Sequence, residues 1–98
     1  MKQLSKQEAI KFENSQVWED WPDDQLAGFQ LFQKRLCIDF SRFHKAMETV
    51  LDRPIFTHEF ADRDKLIAEY LGKKEPPTME EILNLIPKEK RLILFKTN

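Results

Sequence analysis

This chain of 98 residues contains few glycines and cysteines, and its net charge is close to zero. Two glycines leave almost no room for loops that cradle phosphates, and the sequence has no P-loop, no glycine-rich dinucleotide turn and no Gly-x-Ser-x-Gly elbow. The single cysteine, Cys37, excludes an intrachain disulfide and suits a reducing compartment. A net charge of -1 gives no general attraction to nucleic acid or to an anionic membrane.

Long hydrophobic runs are also missing. No stretch approaches the roughly 18 apolar residues that a membrane span requires, and the N-terminal residues alternate charged with apolar side chains, unlike a signal peptide. The sequence therefore predicts a cytoplasmic protein with no membrane partner.

Apolar and aromatic side chains are plentiful enough for a globular core. Hydrophobic residues make up 41% of the chain, with eight Phe, two Trp and one Tyr. At this length we expect one domain spanning residues 1–98.

The apolar spacing is mostly helical. Ser5 with Glu8, and Thr78 with Glu81, have the spacing of capping boxes, and Asp39 or Ser41 can cap the helix with the clearest amphipathic pattern. Three short segments are instead predicted as strands: Leu36-Cys37-Ile38, the extended run around Ile55, and residues 91–95. The predicted fold class is α+β and mostly helical, with about five short helices and a small two- or three-stranded sheet.

The most unusual surface pattern is a cluster of acids with two tryptophans. One interpretation is a solvated corner between two helices with one Trp in the core. The other is a binding patch for a basic surface, because Trp is enriched in binding hot spots and acidic residues steer a basic partner. In the second case the partner-binding residues are Trp18, Glu19, Asp20, Trp21, Asp23 and Asp24.

Neither the histidines nor Cys37 predict a catalytic or metal site. His58 beside Glu59 allows a metal or acid–base hypothesis, but two His and one Cys show no zinc spacing. His44 fits a helix boundary position, and Cys37 lies in an apolar run as a small buried side chain does. We assign no catalytic residue, no metal and no cofactor.

A basic C-terminal region offers a different hypothesis. Lys88, Lys90, Arg91 and Lys96 could contact phosphate. Basic side chains beside a strand also protect an exposed edge from aggregation, and no known nucleic-acid-binding signature is present. Direct binding to nucleic acid is therefore not expected.

The central stretch resembles a family of small phage and prophage proteins of unknown function. Leu36-Cys37-Ile38-Asp39-Phe40 fits an L-C-x-x-F pattern, and residues 53–60 fit R-P-[VI]-[FW]-T-H-E-F. The usual Gly before Arg-Pro is Asp52 here, which fits a left-handed helix cap at modest cost. The resemblance implies a viral or prophage origin and no assigned activity. We expect the motif to be mainly structural through Arg53, Pro54, Thr57, His58, Glu59 and Phe60.

Three functional hypotheses follow. The first is a non-enzymatic, phage-type inhibitor of a host defence protein, such as a CRISPR nuclease, whose basic surface the acidic cluster would occupy. The second is a nucleic-acid-binding accessory or regulatory phage protein that uses the basic C-terminal region. The third is a small metal-dependent enzyme centred on His58 and Glu59.

Overall fold

Six α-helices account for the regular structure of residues 2–94, which the computed structural model describes. Two 3-10 helices lie in the connections between them, Val17–Asp20 before the second α-helix and Thr57–Ala61 before the fourth. The α-helices are α1 Lys6–Ser15, α2 Asp23–Leu31, α3 Phe40–Leu51, α4 Arg63–Leu71, α5 Met79–Asn84 and α6 Lys88–Leu94. Within that part of the chain, no helix is long and apolar enough to cross a membrane.

The starts of α1, α3 and α5 agree with the predicted caps. Ser5 and Glu8 form both hydrogen bonds of a capping box at α1. Asp39 accepts a hydrogen bond from the Arg42 N–H at α3, and Thr78 accepts one from the Glu81 N–H at α5. Helix α1 stops at Ser15, where Gln16 takes a left-handed conformation, and α2 stops at Leu31.

Helix α2 lies at the centre of the core. Every residue from Leu26 to Leu31 is buried, and the most extensive helix–helix interface joins α2 to α3. The Phe29 ring packs against Phe12 and Trp21, with ring centroids 5.2 and 5.7 Å apart. From Leu26 to Leu31, α2 is therefore buried on all of its faces.

The α+β prediction is wrong, because the described residues contain no strand and no sheet. The predicted strand at Leu36-Cys37-Ile38 is an irregular connection between α2 and α3. The buried Gln30 side chain replaces the missing sheet partner. Its Nε2 donates to the Arg35 carbonyl oxygen at 2.9 Å, and its Oε1 accepts from the Cys37 N–H at 2.7 Å.

The extended segment around Ile55 is likewise held by side chains of α3. The Glu48 carboxylate accepts a hydrogen bond from the Ile55 N–H at 2.9 Å, and His44 Nε2 bonds with the Ile55 carbonyl oxygen. One turn of helix thus satisfies both backbone groups of Ile55 and removes the need for a neighbouring strand.

The third predicted strand is the last helix. Residues 91–94 belong to α6, while Phe95 lies outside the described residues. Pro87 precedes the helix, and Lys, Glu, Arg and Leu all favour helix over strand. The error arose because a short apolar run does not distinguish a strand from a helix face.

Candidate functional site

The predicted acidic patch lies where the first 3-10 helix meets α2. Both tryptophans are buried there, Trp18 with 5% and Trp21 with 4% of its surface exposed. Trp18 Nε1 donates to the Glu13 carbonyl oxygen at 3.3 Å, and the Trp21 ring packs edge-on against Phe12. The indole rings therefore anchor the turn to the core, and a partner would meet the acidic side chains around them.

Arg42 from α3 fixes the start of α2. Its Nη1 donates to Asp23 Oδ1 at 2.6 Å, and its Nη2 donates to the Trp21 carbonyl oxygen at 3.0 Å. Asp24 lies 4.0 Å from Lys74 Nζ in a largely exposed ion pair. These two carboxylates are thus partly neutralised by cations of the same chain.

Glu19 and Asp20 are the exposed part of the patch. No hydrogen bond or ion pair with another described residue engages either carboxylate, so their charge faces solvent. We define the acidic corner as Glu19 and Asp20 together with Glu13 and Asp39. Glu13, Glu19 and Asp39 line an open cleft of about 520 Å³, which Arg42 also borders. Sequence reasoning missed Glu13 and Asp39 as members, because only the folded chain brings α1 and the start of α3 to this cleft.

The Arg53–Phe60 motif forms a second polar cluster at the turn after α3. Arg53 makes a two-pronged contact with Glu69 of α4, at 2.8 and 2.9 Å, and a second with Glu59, at 2.8 and 3.2 Å. Glu59 Oε2 also accepts the Phe56 N–H at 2.8 Å. This network ties the 3-10 helix at Thr57–Ala61 to α4.

Hydrogen bonds from Arg53 and from the Phe56 N–H lower the Glu59 pKa to about 2. The same guanidinium lowers the Glu69 pKa below its usual value. Both carboxylates therefore remain ionised at neutral pH as partners of Arg53. A general-acid role for Glu59 would require a raised pKa, which is the opposite shift.

The remaining motif side chains divide into exposed and half-buried ones. Pro54 and Thr57 are exposed, and the exposed His58 ring stacks on Phe56 with centroids 5.7 Å apart. Phe60 turns inward and packs against Phe40 at 5.0 Å. Among the residues described, no group of three or more His, Cys, Asp or Glu could hold a metal ion.

Cys37 and the basic C-terminal residues differ in their exposure to solvent. Burial raises the pKa of the Cys37 thiol to about 12, so it stays protonated at neutral pH. Lys88 and Lys90 are exposed on α6, whereas Arg91 Nε donates to the Ile86 carbonyl oxygen at 2.9 Å. Lys96 lies outside the described residues.

Comparison with known families adds one finding. The model of a domain of unknown function, DUF7736, matches residues 24–73, about half of the chain. The chain belongs to the DUF7736 family. No curated protein and no solved structure matches it.

The segment matched by DUF7736 includes the Arg53 network but not the exposed acids Glu19 and Asp20. It contains the whole network of Arg53, Glu59 and Glu69, together with α3, α4 and all of α2 except Asp23. It begins after Glu19 and Asp20, so these two acids of the corner belong to the N-terminal part of this chain. The expected membership of an uncharacterised family is confirmed by this match.

Proposed function

We propose that this DUF7736 protein is a non-enzymatic binding protein whose acidic corner docks on a basic surface of a host protein. The observation that carries the proposal is that Glu19 and Asp20 are exposed and unengaged within the described residues, on a turn that the buried Trp18 and Trp21 anchor. An anchored turn loses little conformational freedom on binding, which leaves more of the electrostatic attraction for affinity.

The most specific form of the proposal is a phage-encoded inhibitor of host defence. The resemblance of residues 53–60 to small phage and prophage proteins motivates the origin. A nuclease that defends the host, such as a CRISPR effector, holds nucleic acid in a positively charged channel. An acidic protein that occupies this channel would exclude the nucleic acid, and it would act in the cytoplasm of the bacterial host.

Three features favour binding over catalysis. The Cys37 thiol is buried with a raised pKa, Glu59 is held as an ion-pair partner of Arg53, and His44 is committed to the Ile55 backbone. A buried protonated thiol is a poor nucleophile, and the hydrogen bonds of Glu59 and His44 serve the chain's own turn.

The test is an affinity pull-down of the tagged protein from lysate of a CRISPR-bearing bacterium, followed by quantitative mass spectrometry. The wild-type protein should capture a defence nuclease in stoichiometric amount. The double variant Glu19→Lys with Asp20→Lys should lose it, because both exposed charges then repel a basic partner. Asp64→Lys with Glu89→Lys is the matched control, since both acids are exposed and lie on other helices.

Two results would contradict the proposal. Equal capture by the wild type and the corner variant would remove the acidic corner as the docking site. Recovery of nucleic acid alone, lost when Lys88, Lys90 and Arg91 are changed together, would support the accessory-protein hypothesis instead.

A further inference from the structure

A half-open apolar groove lies between α2, α3 and α4, on a surface that shares no lining residue with the acidic-corner cleft. Phe60 forms one wall and packs against Phe40 and Phe43, with ring centroids 5.0 and 5.4 Å away. Leu36, half exposed at 50%, lies at the mouth.

The rim of the groove is basic. Lys34, Arg35 and Arg63 all line it, and no aspartate or glutamate is among its described lining residues. The Arg63 side chain is held in place, because its Nε donates to the Leu31 carbonyl oxygen at 2.9 Å. No ion pair with a described residue engages Lys34 or Arg35. Three cations thus surround an apolar pocket in a protein of net charge -1.

The polar groups at the base of the groove are already satisfied. The Gln30 amide is bonded to Arg35 and Cys37, and the Gln33 amide is bonded to the backbone of Lys2 and Leu4. A ligand therefore finds hydrogen-bond donors at the cationic rim and apolar contacts inside. This combination suits an apolar group with negative charges beside it.

The volume limits the apolar group to one side chain. The groove encloses about 190 Å³, and an apolar cavity of ~150 Å³ admits benzene. One Phe or Leu side chain fits this space, whereas a continuous amphipathic helix would need a longer groove with several pockets.

We propose that this groove binds a short acidic segment of a partner protein through one Phe or Leu side chain, with flanking carboxylates on Lys34, Arg35 and Arg63. All of its lining residues fall within the segment matched by DUF7736, whereas Glu19 and Asp20 do not. The groove is thus a feature of the family segment, and its function does not depend on the acidic corner.

The probe is a set of fluorescently labelled five-residue peptides with two acids on each side of a central residue. The central residue is Phe, Leu, Trp or Ala, and a fifth peptide carries Phe between lysines. Fluorescence anisotropy with the whole protein measures the dissociation constants, and amide chemical shifts map the site. We expect the Phe and Leu peptides to bind at least tenfold more tightly than the Ala peptide, and the lysine peptide to show no binding.

Variants of the rim test the charge requirement. Lys34→Glu with Arg35→Glu should weaken the Phe peptide at least tenfold, since both side chains are exposed and can change without loss of the fold. Lys6→Glu with Lys45→Glu makes the same change in charge at exposed sites outside the groove and should leave binding unchanged. Circular dichroism checks that each variant is folded.

Each other outcome overturns the proposal. Failure of the Phe and Leu peptides to bind would show that the groove does not accept an acidic segment with an anchor of this size, whatever the Trp peptide does. Equal binding of the Ala peptide would show charge attraction without an apolar anchor. Shift changes confined to residues outside the groove would place the site elsewhere. The charge reversal at Glu19 and Asp20 should not alter any of these results, so failure of the two proposals can be distinguished.

Discussion

The side chain of Gln30 should be worth more to stability than any surface contact in α2. Its amide hydrogen-bonds with the Arg35 carbonyl oxygen and with the Cys37 N–H, on the two sides of Leu36. Cys37 is fully buried. Gln30→Leu keeps the volume but leaves the Cys37 N–H without a partner. A buried donor without a hydrogen-bond partner costs about 1–3 kcal/mol. The Arg35 carbonyl belongs to an exposed residue and can accept a hydrogen bond from water instead.

We therefore expect Gln30→Leu to lower the free energy of unfolding by ~2 kcal/mol. For a domain of this size that loss corresponds to a fall of roughly 8–16 °C in Tm. Thermal and urea unfolding followed by circular dichroism would measure it, and hydrogen exchange at the Cys37 amide would report the local loss of protection.

The matched control is Gln25→Leu in the same helix. The buried Oε1 of Gln25 has no hydrogen-bond partner among the described residues. Its removal therefore leaves no backbone N–H without an acceptor, and the free energy of unfolding should be almost unchanged. Equal destabilisation by the two substitutions would refute the argument that Gln30 holds the connection in place of a strand.

Three further predictions concern α3 and the turn after it. Glu48→Ala should cost about 1–3 kcal/mol by orphaning the Ile55 N–H, and urea unfolding should show Glu48→Gln, which keeps an acceptor, to be milder. Asp52→Gly should raise stability by up to ~1 kcal/mol, because Asp52 is left-handed (φ 54°) at the end of a helix whose dipole disfavours an acid; an unchanged or lower Tm would contradict this. Arg53 depresses the Glu59 pKa to about 2, so the ionised Glu59 carboxylate contributes its full stabilisation above the unfolded pKa near 4.5. That contribution is lost as the pH falls toward 2. The difference in Tm between the wild type and Glu59→Gln should therefore shrink between pH 4.5 and pH 2.

Local signals in the sequence predicted the starts of α1, α3 and α5. Ser5, Asp39 and Thr78 cap helices through atoms three residues away, and this spacing is visible in the sequence. Asp52 also adopts the left-handed conformation that its place before Arg-Pro implied.

The strands could not be excluded from the sequence, because side chains outside each segment decide the outcome. Gln30 bonds to backbone groups five and seven residues further along the chain, and Glu48 bonds to one seven residues further along. Both segments have an apolar content that is typical of strands. No periodicity reports that a glutamine amide will take the place of a sheet partner. The same limit applies to α6, where residue propensity outweighs a short apolar run.

The candidate site was predicted in composition but not in geometry. Acidic residues near Glu19 are visible in the sequence, yet the burial of Trp18 and Trp21 depends on packing against α1 and α2. The partner of Asp23, Arg42, lies on another helix. The basic-rimmed groove was missed because its lining comes from three helices and the connections between them.

The measurement that tests the central claim most directly is plaque formation by a phage that the host defence system targets. The host is the strain whose lysate yields a captured defence protein, and it expresses either the wild-type protein or the Glu19→Lys, Asp20→Lys variant at equal level. We predict that the wild type restores plaques and that the variant does not. Unchanged plaque counts with the wild type, or equal rescue by both proteins, would contradict inhibition through the acidic corner.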